Sequence, residues 1–250
     1  MVGENILKIK NLSKIYHTEK EEVIAVEDFS FELHENEFIA IVGPSGCGKS
    51  TILSILSGLE TKSSGEITLK EGKNIGYMLQ QDALFDFRTV LDNCLIGLEI
   101  NKNLSKETKE NVINLLNTYG LKDFINSYPN TLSGGMRQRV ALIRTLATNP
   151  DIILLDEPFS ALDYQSRLAV SDDVYNIVKK EKKSVIMVTH DIAEAISMAD
   201  KVIVLTGRPS TVKCEIDINL KNKSTPINNR KDSEFSKYYD LIWKEIDYHV

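Results

Sequence analysis

The residues best suited to chemistry form one glycine-rich segment, Gly43-Pro44-Ser45-Gly46-Cys47-Gly48-Lys49-Ser50-Thr51. It matches the pattern G-x-x-x-x-G-K-[ST], in which bare backbone N–H groups surround phosphate oxygens. Lys49 would reach the β- and γ-phosphates, and the Ser50 hydroxyl would coordinate Mg²⁺. A strand pattern at residues 38–42 precedes the loop and helical spacing follows it, which argues against a chance glycine-rich turn. The segment therefore predicts nucleoside triphosphate binding.

A second segment combines an apolar run with two carboxylates. Residues 151–158 read Asp-Ile-Ile-Leu-Leu-Asp-Glu-Pro. At the end of such a strand, Asp156 would lie beside the metal bound to the phosphates. Glu157 follows it and could accept a proton from a water aligned on the γ-phosphorus. Alone this could be an ordinary acidic turn, but together with the loop it predicts phosphoryl transfer to water.

A third segment, Leu132-Ser133-Gly134-Gly135-Met136-Arg137-Gln138-Arg139, predicts another anion-binding surface. Gly134 and Gly135 leave their N–H groups bare, and Ser133 adds a hydroxyl. If a helix starts here, its positive end points at the anion. Since one chain then carries two phosphate surfaces, the pattern indicates that two chains share two nucleotides.

The elements that must position these residues follow an α/β pattern. A chain of 250 residues that is 42% hydrophobic suits one large domain with an inserted subdomain. Helices are predicted at 49–57, closed by Gly58, from Ser105 to Gly120, and at 192–198, and the whole stretch from about 86 to 148 has a helical pattern. The predicted strands are 6–12, 38–42, 67–69, 75–79, 152–155, 185–188 and 202–205. They predict a mainly parallel sheet interrupted by a helical insertion.

Composition excludes several classes of function. The net charge of −6 argues against a general nucleic-acid binder, so we expect no nucleic-acid partner. No run of 18 apolar residues is present, and the first ten residues do not resemble a signal peptide. Three scattered cysteines fit a reduced cytosolic compartment. Cys47 has two interpretations: a tolerated small side chain, or a redox-sensitive thiol whose pKa the helix N-terminus lowers.

The C-terminal region divides into two parts. Residues 221–234 are polar and are predicted to form a loosely ordered linker. Beyond them Phe235, Tyr239, Ile242 and Ile246 recur at helical spacing, with Trp243 beside the stripe. This amphipathic helix could dock on its own domain or on a partner.

Taken together, these motifs resemble the ATP-binding subunit of an ABC transporter. The resemblance implies an α/β fold with a RecA-like P-loop NTPase core, a mainly parallel sheet, an N-terminal antiparallel β part and a helical subdomain insertion. It implies an ATPase domain at 1–220, with the subdomain at about 86–148, followed by the linker and helix at 221–250. ATP and Mg²⁺ are the implied substrate and cofactor.

The resemblance also implies roles for single residues. Tyr16 would stack on adenine, Asp163 in the segment 160–163 would link the two sites across the dimer, and His190 would contact the γ-phosphate. The surface at Ser133, Gly134 and Gly135 would contact ATP bound by the opposite subunit. The implied catalytic set is Glu157, His190, Gln80 and Lys49, and the implied metal set is Ser50, Gln80 and Asp156.

The segment 205–209, followed by a strand, resembles the nitrate, sulfonate and taurine group of importers. Thiamine-precursor and riboflavin importers are similar here, so the substrate stays open. The group has a proline where this chain has Asp86, in a stretch expected to receive the permease. The implied partners are a second copy, membrane permease subunits and, indirectly, an extracytoplasmic solute-binding protein, with the chain peripheral on the cytoplasmic face of the membrane. The alternatives are an exporter ATPase, a soluble ABC ATPase acting on nucleic acid or ribosomes, and a module that binds ATP without hydrolysing it.

Overall fold

The computed structural model describes residues 3–17 and 21–246, and these residues form two β-sheets. The strands are β1 (Asn5–His17), β2 (Glu22–His34), β3 (Phe38–Val42), β4 (Ser64–Leu69), β5 (Ile75–Met78), β6 (Ile152–Asp156), β7 (Ser184–Val188), β8 (Lys201–Leu205) and β9 (Val212–Asp217). The helices are α1 (Lys49–Leu56), α2 (Val90–Ile100), α3 (Lys106–Thr118), α4 (Gly134–Ala147), α5 (Tyr164–Lys180), α6 (Ile192–Met198), α7 (Pro226–Asn229) and α8 (Phe235–Glu245).

The larger sheet has the strand order β5-β6-β7-β3-β8-β9, and the smaller one has the order β2-β1-β4. Neighbours in the larger sheet run parallel, except β8 and β9. Strands β3, β6 and β7 are buried along their whole length, as continuous apolar runs in a sheet covered on both faces should be. The smaller sheet is antiparallel. The predicted α/β fold, with a mainly parallel sheet and an antiparallel N-terminal part, is confirmed.

Alternate residues of β3 face two different cores. Ile39 and Ile41 pack with α1 and the antiparallel sheet. Phe38, Ala40 and Val42 pack on the opposite face, with residues of α4, α5, α6 and α8. The larger sheet is therefore the middle of three layers.

Helices α2, α3 and α4 share an apolar cluster of their own, which includes Val90, Val112 and Val140. Ser105 caps α3 by accepting a hydrogen bond from the Thr108 backbone N–H. Gly120, with φ +76°, follows the end of that helix. The predicted start and stop of α3 are thus confirmed.

Several parts of the chain differ from the sequence-based expectation, among them helix α5, which was not predicted. Strand β2 was not predicted, because bulges interrupt its alternation, and Asp28 has a left-handed φ of +46°. The expected loose linker at 221–234 instead contains α7, whose Asn229 is fully buried and donates a hydrogen bond from Nδ2 to the Ser197 carbonyl at 2.7 Å. A buried, hydrogen-bonded amide anchors this segment to α6, which polarity alone could not predict.

The stripe on α8 packs against its own domain. Ile242 and Ile246 are buried in the core that covers one face of the larger sheet, and Phe235 and Tyr239 pack against the same core. The Trp243 ring stacks on Tyr239 with the ring centroids 6.1 Å apart. Of the two docking alternatives, the structure therefore supports the one within the chain. Among the described residues, no helix is both long enough and apolar enough to cross a membrane.

Candidate active site

One edge of the larger sheet gathers most of the residues singled out above. Gly43 follows β3, Gln80 follows β5, Asp156 ends β6 and His190 follows β7. Because these strands are parallel, their carboxyl ends meet at the same edge, where α/β proteins bind ligands. A fifth strand, β8, contributes through the loop that follows it, because Arg208 Nη2 donates to the Gly46 carbonyl at 2.7 Å.

The glycine-rich loop has the conformation its sequence requires. Gly46 and Gly48 have φ values of +71° and +126°, which residues with a Cβ rarely adopt. A Cβ at Gly48 would lie 2.8 Å from the Ala25 carbonyl oxygen of β2. Lys49 is only 5% exposed, and its ammonium donates hydrogen bonds to the carbonyls of Gly43 and Pro44 at 2.9 and 2.8 Å. The loop therefore holds a buried cation at the start of α1, where phosphate would bind.

Asp156 joins the loop to the acidic strand end. Its Oδ1 accepts a hydrogen bond from Ser50 Oγ at 3.0 Å, and its Oδ2 accepts one from the Tyr77 hydroxyl at 2.9 Å. Burial raises the pKa of Asp156, against the hydrogen bonds that lower it. Burial also raises the pKa of Tyr77, with the Asp156 charge acting in the same direction. A hydroxyl and a carboxylate side by side are oxygen ligands of the kind Mg²⁺ prefers.

Tyr77 was not singled out from sequence. Its position in β5 makes it one of several partly buried side chains, and nothing local shows that β5 pairs with the strand that carries Asp156. The signal that could have revealed it is a phenol in a strand otherwise built of apolar residues and glycine. A buried phenol needs a hydrogen-bond partner.

Glu157 lies next to two other predicted catalytic side chains. Its Oε2 is 3.2 Å from His190 Nδ1 and 3.3 Å from Gln80 Nε2. Its backbone N–H donates to the Val188 carbonyl at 2.9 Å. Glu157 has a left-handed φ of +41°, a conformation that costs a non-glycine residue about 1–3 kcal/mol. The surrounding strands hold this strained backbone in place, so the carboxylate projects beyond the sheet edge.

The redox interpretation of Cys47 is wrong. The thiol is 1% exposed, and burial raises its pKa, although Lys49 acts in the opposite direction. A buried, protonated thiol is a poor nucleophile. Cys47 therefore acts as a small side chain packed beneath the loop.

The turn at Ser133 lies at the N-terminus of α4, as the sequence predicted. Ser133 Oγ accepts a hydrogen bond from the Met136 N–H at 3.3 Å. A Cβ on Gly134 would lie 3.0 Å from Leu162 Cδ2, and one on Gly135 would lie 2.8 Å from Val170 Cγ2. The two glycines thus allow α4 to approach the segment around α5 closely, a steric requirement that sequence did not reveal. Within 3–17 and 21–246, no hydrogen bond or ion pair connects this turn to the loop at 43–51.

Two arginines of α4 form hydrogen bonds with the segment that follows Gln80. Arg144 donates to the carbonyls of Asp82 and Ala83 at 2.6 and 2.7 Å. Arg137 Nε donates to Asp82 Oδ2 at 3.0 Å. Neither arginine was given a role from sequence, because the contact joins residues about sixty positions apart.

Tyr16 lies near the end of β1, packed against the core that contains the loop cysteine. Lys14 Nζ is 4.7 Å from the centre of its ring and bonds to Glu60 Oε1 at 2.8 Å. The structure therefore brings Gln80, Asp156, Glu157 and His190 together, and it places Tyr16 on the neighbouring antiparallel sheet.

A buried carboxyl lies behind the His190 loop. Glu194 is 3% exposed and accepts a hydrogen bond from Thr189 Oγ1 at 2.8 Å. Burial, followed by the charge of Asp191, raises the pKa of Glu194 to about 7, although Thr189, Arg167 and Arg230 lower it. The folded protein therefore holds this proton in a pH range where the unfolded chain releases it.

We expect Glu194→Gln to remove part of the pH dependence of the free energy of unfolding. The stabilisation from the protonated carboxyl is complete below pH 4.5, the ordinary pKa of a glutamate, and is lost as the pH rises through the folded-state pKa of about 7. Over that range the loss amounts to about 3 kcal/mol. Urea unfolding of both proteins at about pH 5 and pH 8 should show the variant gaining roughly that amount relative to wild type. A difference between the two proteins that does not change with pH would contradict this.

The fold and the site define a class of protein. A phosphate loop follows β3, the Asp156 carboxylate ends β6, and β7 lies between these two strands. This is the arrangement of a P-loop NTPase with a RecA-like core. A family model described as ABC transporter matches residues 26–160. The chain belongs to that family and is an ABC ATPase.

Known relatives support this assignment along nearly the whole chain. The protein YtlC of Bacillus subtilis, named as an uncharacterized ABC transporter ATP-binding protein, is 41% identical over 97% of this chain and 96% of its own length. The nitrate import ATP-binding protein NrtD of Synechocystis is 36% identical over 94% of this chain and 93% of its own length. Proteins named for taurine import in Rhizobium johnstonii and aliphatic sulfonate import in Bacillus cereus also match at 36%. The resemblance to this importer group is confirmed.

A solved structure agrees as well. It is described as a dimeric post-hydrolysis state of the ATP-binding cassette MJ0796 bound to ADP and Pi. It superposes with a TM-score of 0.73 at 31% identity, covering 86% of this chain and 99% of its own.

Proposed function

We propose that this chain is the ATP-hydrolysing subunit of an importer of a small anionic or zwitterionic solute such as nitrate, a sulfonate or taurine. The observation that carries the proposal is the meeting of Glu157, His190 and Gln80 beside the phosphate loop. The importer names of relatives that match almost the full chain support the direction of transport. In this proposal residues 1–220 form the ATPase domain, with a helical subdomain at about 86–148, and residues 221–250 form the C-terminal region; residues 247–250 lie outside those described.

The reaction is phosphoryl transfer from ATP to water. Lys49 and the loop amides hold the β- and γ-phosphates, and Tyr16 stacks on adenine. Ser50, Asp156 and Gln80 would hold Mg²⁺, which would supply positive charge to neutralise the phosphates. Glu157 accepts the proton of the attacking water, and His190 and Gln80, both within 3.3 Å of its Oε2, orient that carboxylate and the γ-phosphate.

We propose further that two copies share two ATP molecules. The support is the separation of the two phosphate surfaces within one chain, together with the dimeric state of the matched solved structure. Ser133, Gly134 and Gly135 of one copy would meet the γ-phosphate held by the other, with the amino end of α4 facing it. Asp163, which caps α5 by accepting hydrogen bonds from Gln165 and Ser166, would hold the loop at the interface.

A permease is proposed to dock on an exposed aromatic pair after Gln80. Phe85 and Phe87 are 44% and 77% exposed, and their ring centres are 5.5 Å apart. Fully buried Asn93 fixes their loop, because its Nδ2 donates to the carbonyls of Phe85, Arg88 and Thr89 and its Oδ1 accepts from the Phe85 N–H. A rigid loop that displays aromatic rings is typical of a protein interface. The chain would then lie on the cytoplasmic face of the membrane, and an extracytoplasmic binding protein would reach it only through the permease.

Phe87→Ala is expected to weaken binding to the partner permease by tenfold or more, since it removes the most exposed ring of the pair. Co-expression, detergent extraction and quantified co-purification measure the effect. Leu59→Ala is the matched control, because Leu59 is 70% exposed on another part of the surface. Equal recovery of the permease with both variants would contradict the docking surface.

Import of labelled nitrate, sulfonate and taurine by the reconstituted complex tests the substrate class.

A further inference from the structure

Arg167 contacts two loops beside the site: the segment 160–163 and the loop that carries His190. It lies in the first turn of α5, the helix that begins directly after the segment 160–163. Its Nη2 donates to the Leu162 carbonyl at 3.2 Å, and its Nη1 is 3.5 Å from Asp191 Oδ2. One guanidinium therefore joins the segment proposed to face the partner copy to the loop that carries His190.

The third nitrogen of Arg167 points at the buried carboxyl of α6. Arg167 Nε is buried and, within the described part of the chain, has no hydrogen-bond partner. It lies 3.7 Å from Glu194 Oε1, which is outside hydrogen-bond range. A shift of about half an ångström would complete this hydrogen bond.

Glu194 in turn fixes the residue before His190. The Asp191 N–H donates to Thr189 Oγ1 at 3.0 Å, so the Thr189 hydroxyl proton is free to point at Glu194 Oε2, 2.8 Å away. Asp191 also caps α6 through the N–H groups of Ala193 and Glu194. These hydrogen bonds set the backbone on both sides of His190, whose side chain is over half exposed and has few other constraints.

We propose that Arg167 is a positioning residue that transmits the position of the segment 160–163 to His190 through Glu194, Thr189 and Asp191. A movement of that segment shifts the guanidinium, and the guanidinium shifts the loop at 189–191. His190 then approaches or leaves Glu157 and the γ-phosphate. The inference rests on the proposed role of His190 in hydrolysis, and it adds a physical connection from the dimer interface to that residue.

Arg167→Ala is expected to lower kcat for ATP about tenfold or more, because a misplacement near 1 Å can slow a reaction by up to about a hundredfold. The Kd for a fluorescent ATP analogue should stay within about twofold, since the phosphate loop is untouched. Arg167→Lys should also lower kcat, because an ammonium cannot replace the guanidinium fork, and it keeps the charge and much of the packing if the alanine variant unfolds. Lys237→Ala is the matched control, since it removes a surface cation paired with Glu234 at 2.8 Å.

A double variant separates positioning from a general loss of structure. If Arg167 acts through His190, the Arg167→Ala, His190→Ala protein should be no slower than His190→Ala alone. Wild-type kcat in both Arg167 variants would overturn the inference and leave the proposed function intact. Losses that multiply in the double variant would overturn it as well. If His190→Ala itself keeps wild-type kcat, then the role of His190 fails first and the inference fails with it.

Discussion

Glu157→Gln should bind ATP with nearly wild-type affinity and hydrolyse it at least about 10²–10⁴-fold more slowly, the range that a general base contributes. The amide keeps the shape of the side chain and can still bond to His190 and Gln80, which now surround its Oε2 at 3.2 and 3.3 Å. It cannot accept the proton of the attacking water. ATP should therefore remain bound between two copies, and the dimer should accumulate.

Three measurements together check this prediction. Phosphate release gives kcat, a fluorescent ATP analogue gives Kd, and light scattering with Mg²⁺ and ATP gives the mass. Glu99→Gln is the control, because it neutralises a surface carboxylate on α2 that pairs with Arg88. Turnover close to wild type in Glu157→Gln would remove this residue as the base. Loss of ATP binding would instead show that the carboxylate is needed to build the pocket.

Ser133→Arg should leave ATP binding by the single chain within about twofold of wild type and prevent ATP-driven dimerisation. Ser133 lies at the amino end of α4, where the bare N–H groups of Gly134 and Gly135 would form the proposed second phosphate surface. A long cationic side chain at that position would occupy the space into which the partner's nucleotide must fit. Since hydrolysis needs the shared site, we expect ATPase activity to fall by about a hundredfold.

Loss of the helix cap has to be separated from loss of the interface, since replacing a capping serine costs about 1 kcal/mol. The chain offers a close match in Ser105, which caps α3 through the same serine-to-backbone bond at 3.1 Å. Ser105→Arg should lower the free energy of unfolding similarly and leave dimerisation unchanged. Light scattering in the Glu157→Gln background measures dimer formation for both variants. A dimer of Ser133→Arg as stable as that of its parent would contradict the shared-site arrangement.

Local patterns were sufficient where a function depends on neighbouring residues. Gly46 and Gly48 adopt the positive φ values that the loop needs, and α1 begins at Lys49 as the spacing predicted. Ser105 and Gly120 bound α3 for equally local reasons, a side-chain cap and a left-handed stop. Strand β2 escaped prediction because its bulges, which pairing with β1 stabilises, break the two-residue period on which such predictions depend.

The amino-acid sequence by itself carried the motifs on which the proposed chemistry depends: a phosphate loop, an acidic strand end and a turn proposed to bind a second anion, each contained within about ten residues. Only the tertiary structure decided which side chains support that chemistry. Tyr77 bonds to Asp156 across two strands, and Arg167 reaches Glu194 from another helix. The reason is physical, because φ and ψ preferences act between neighbours in sequence. Burial, charge pairing and hydrogen bonding act between neighbours in space, and the strand order sets which residues those are.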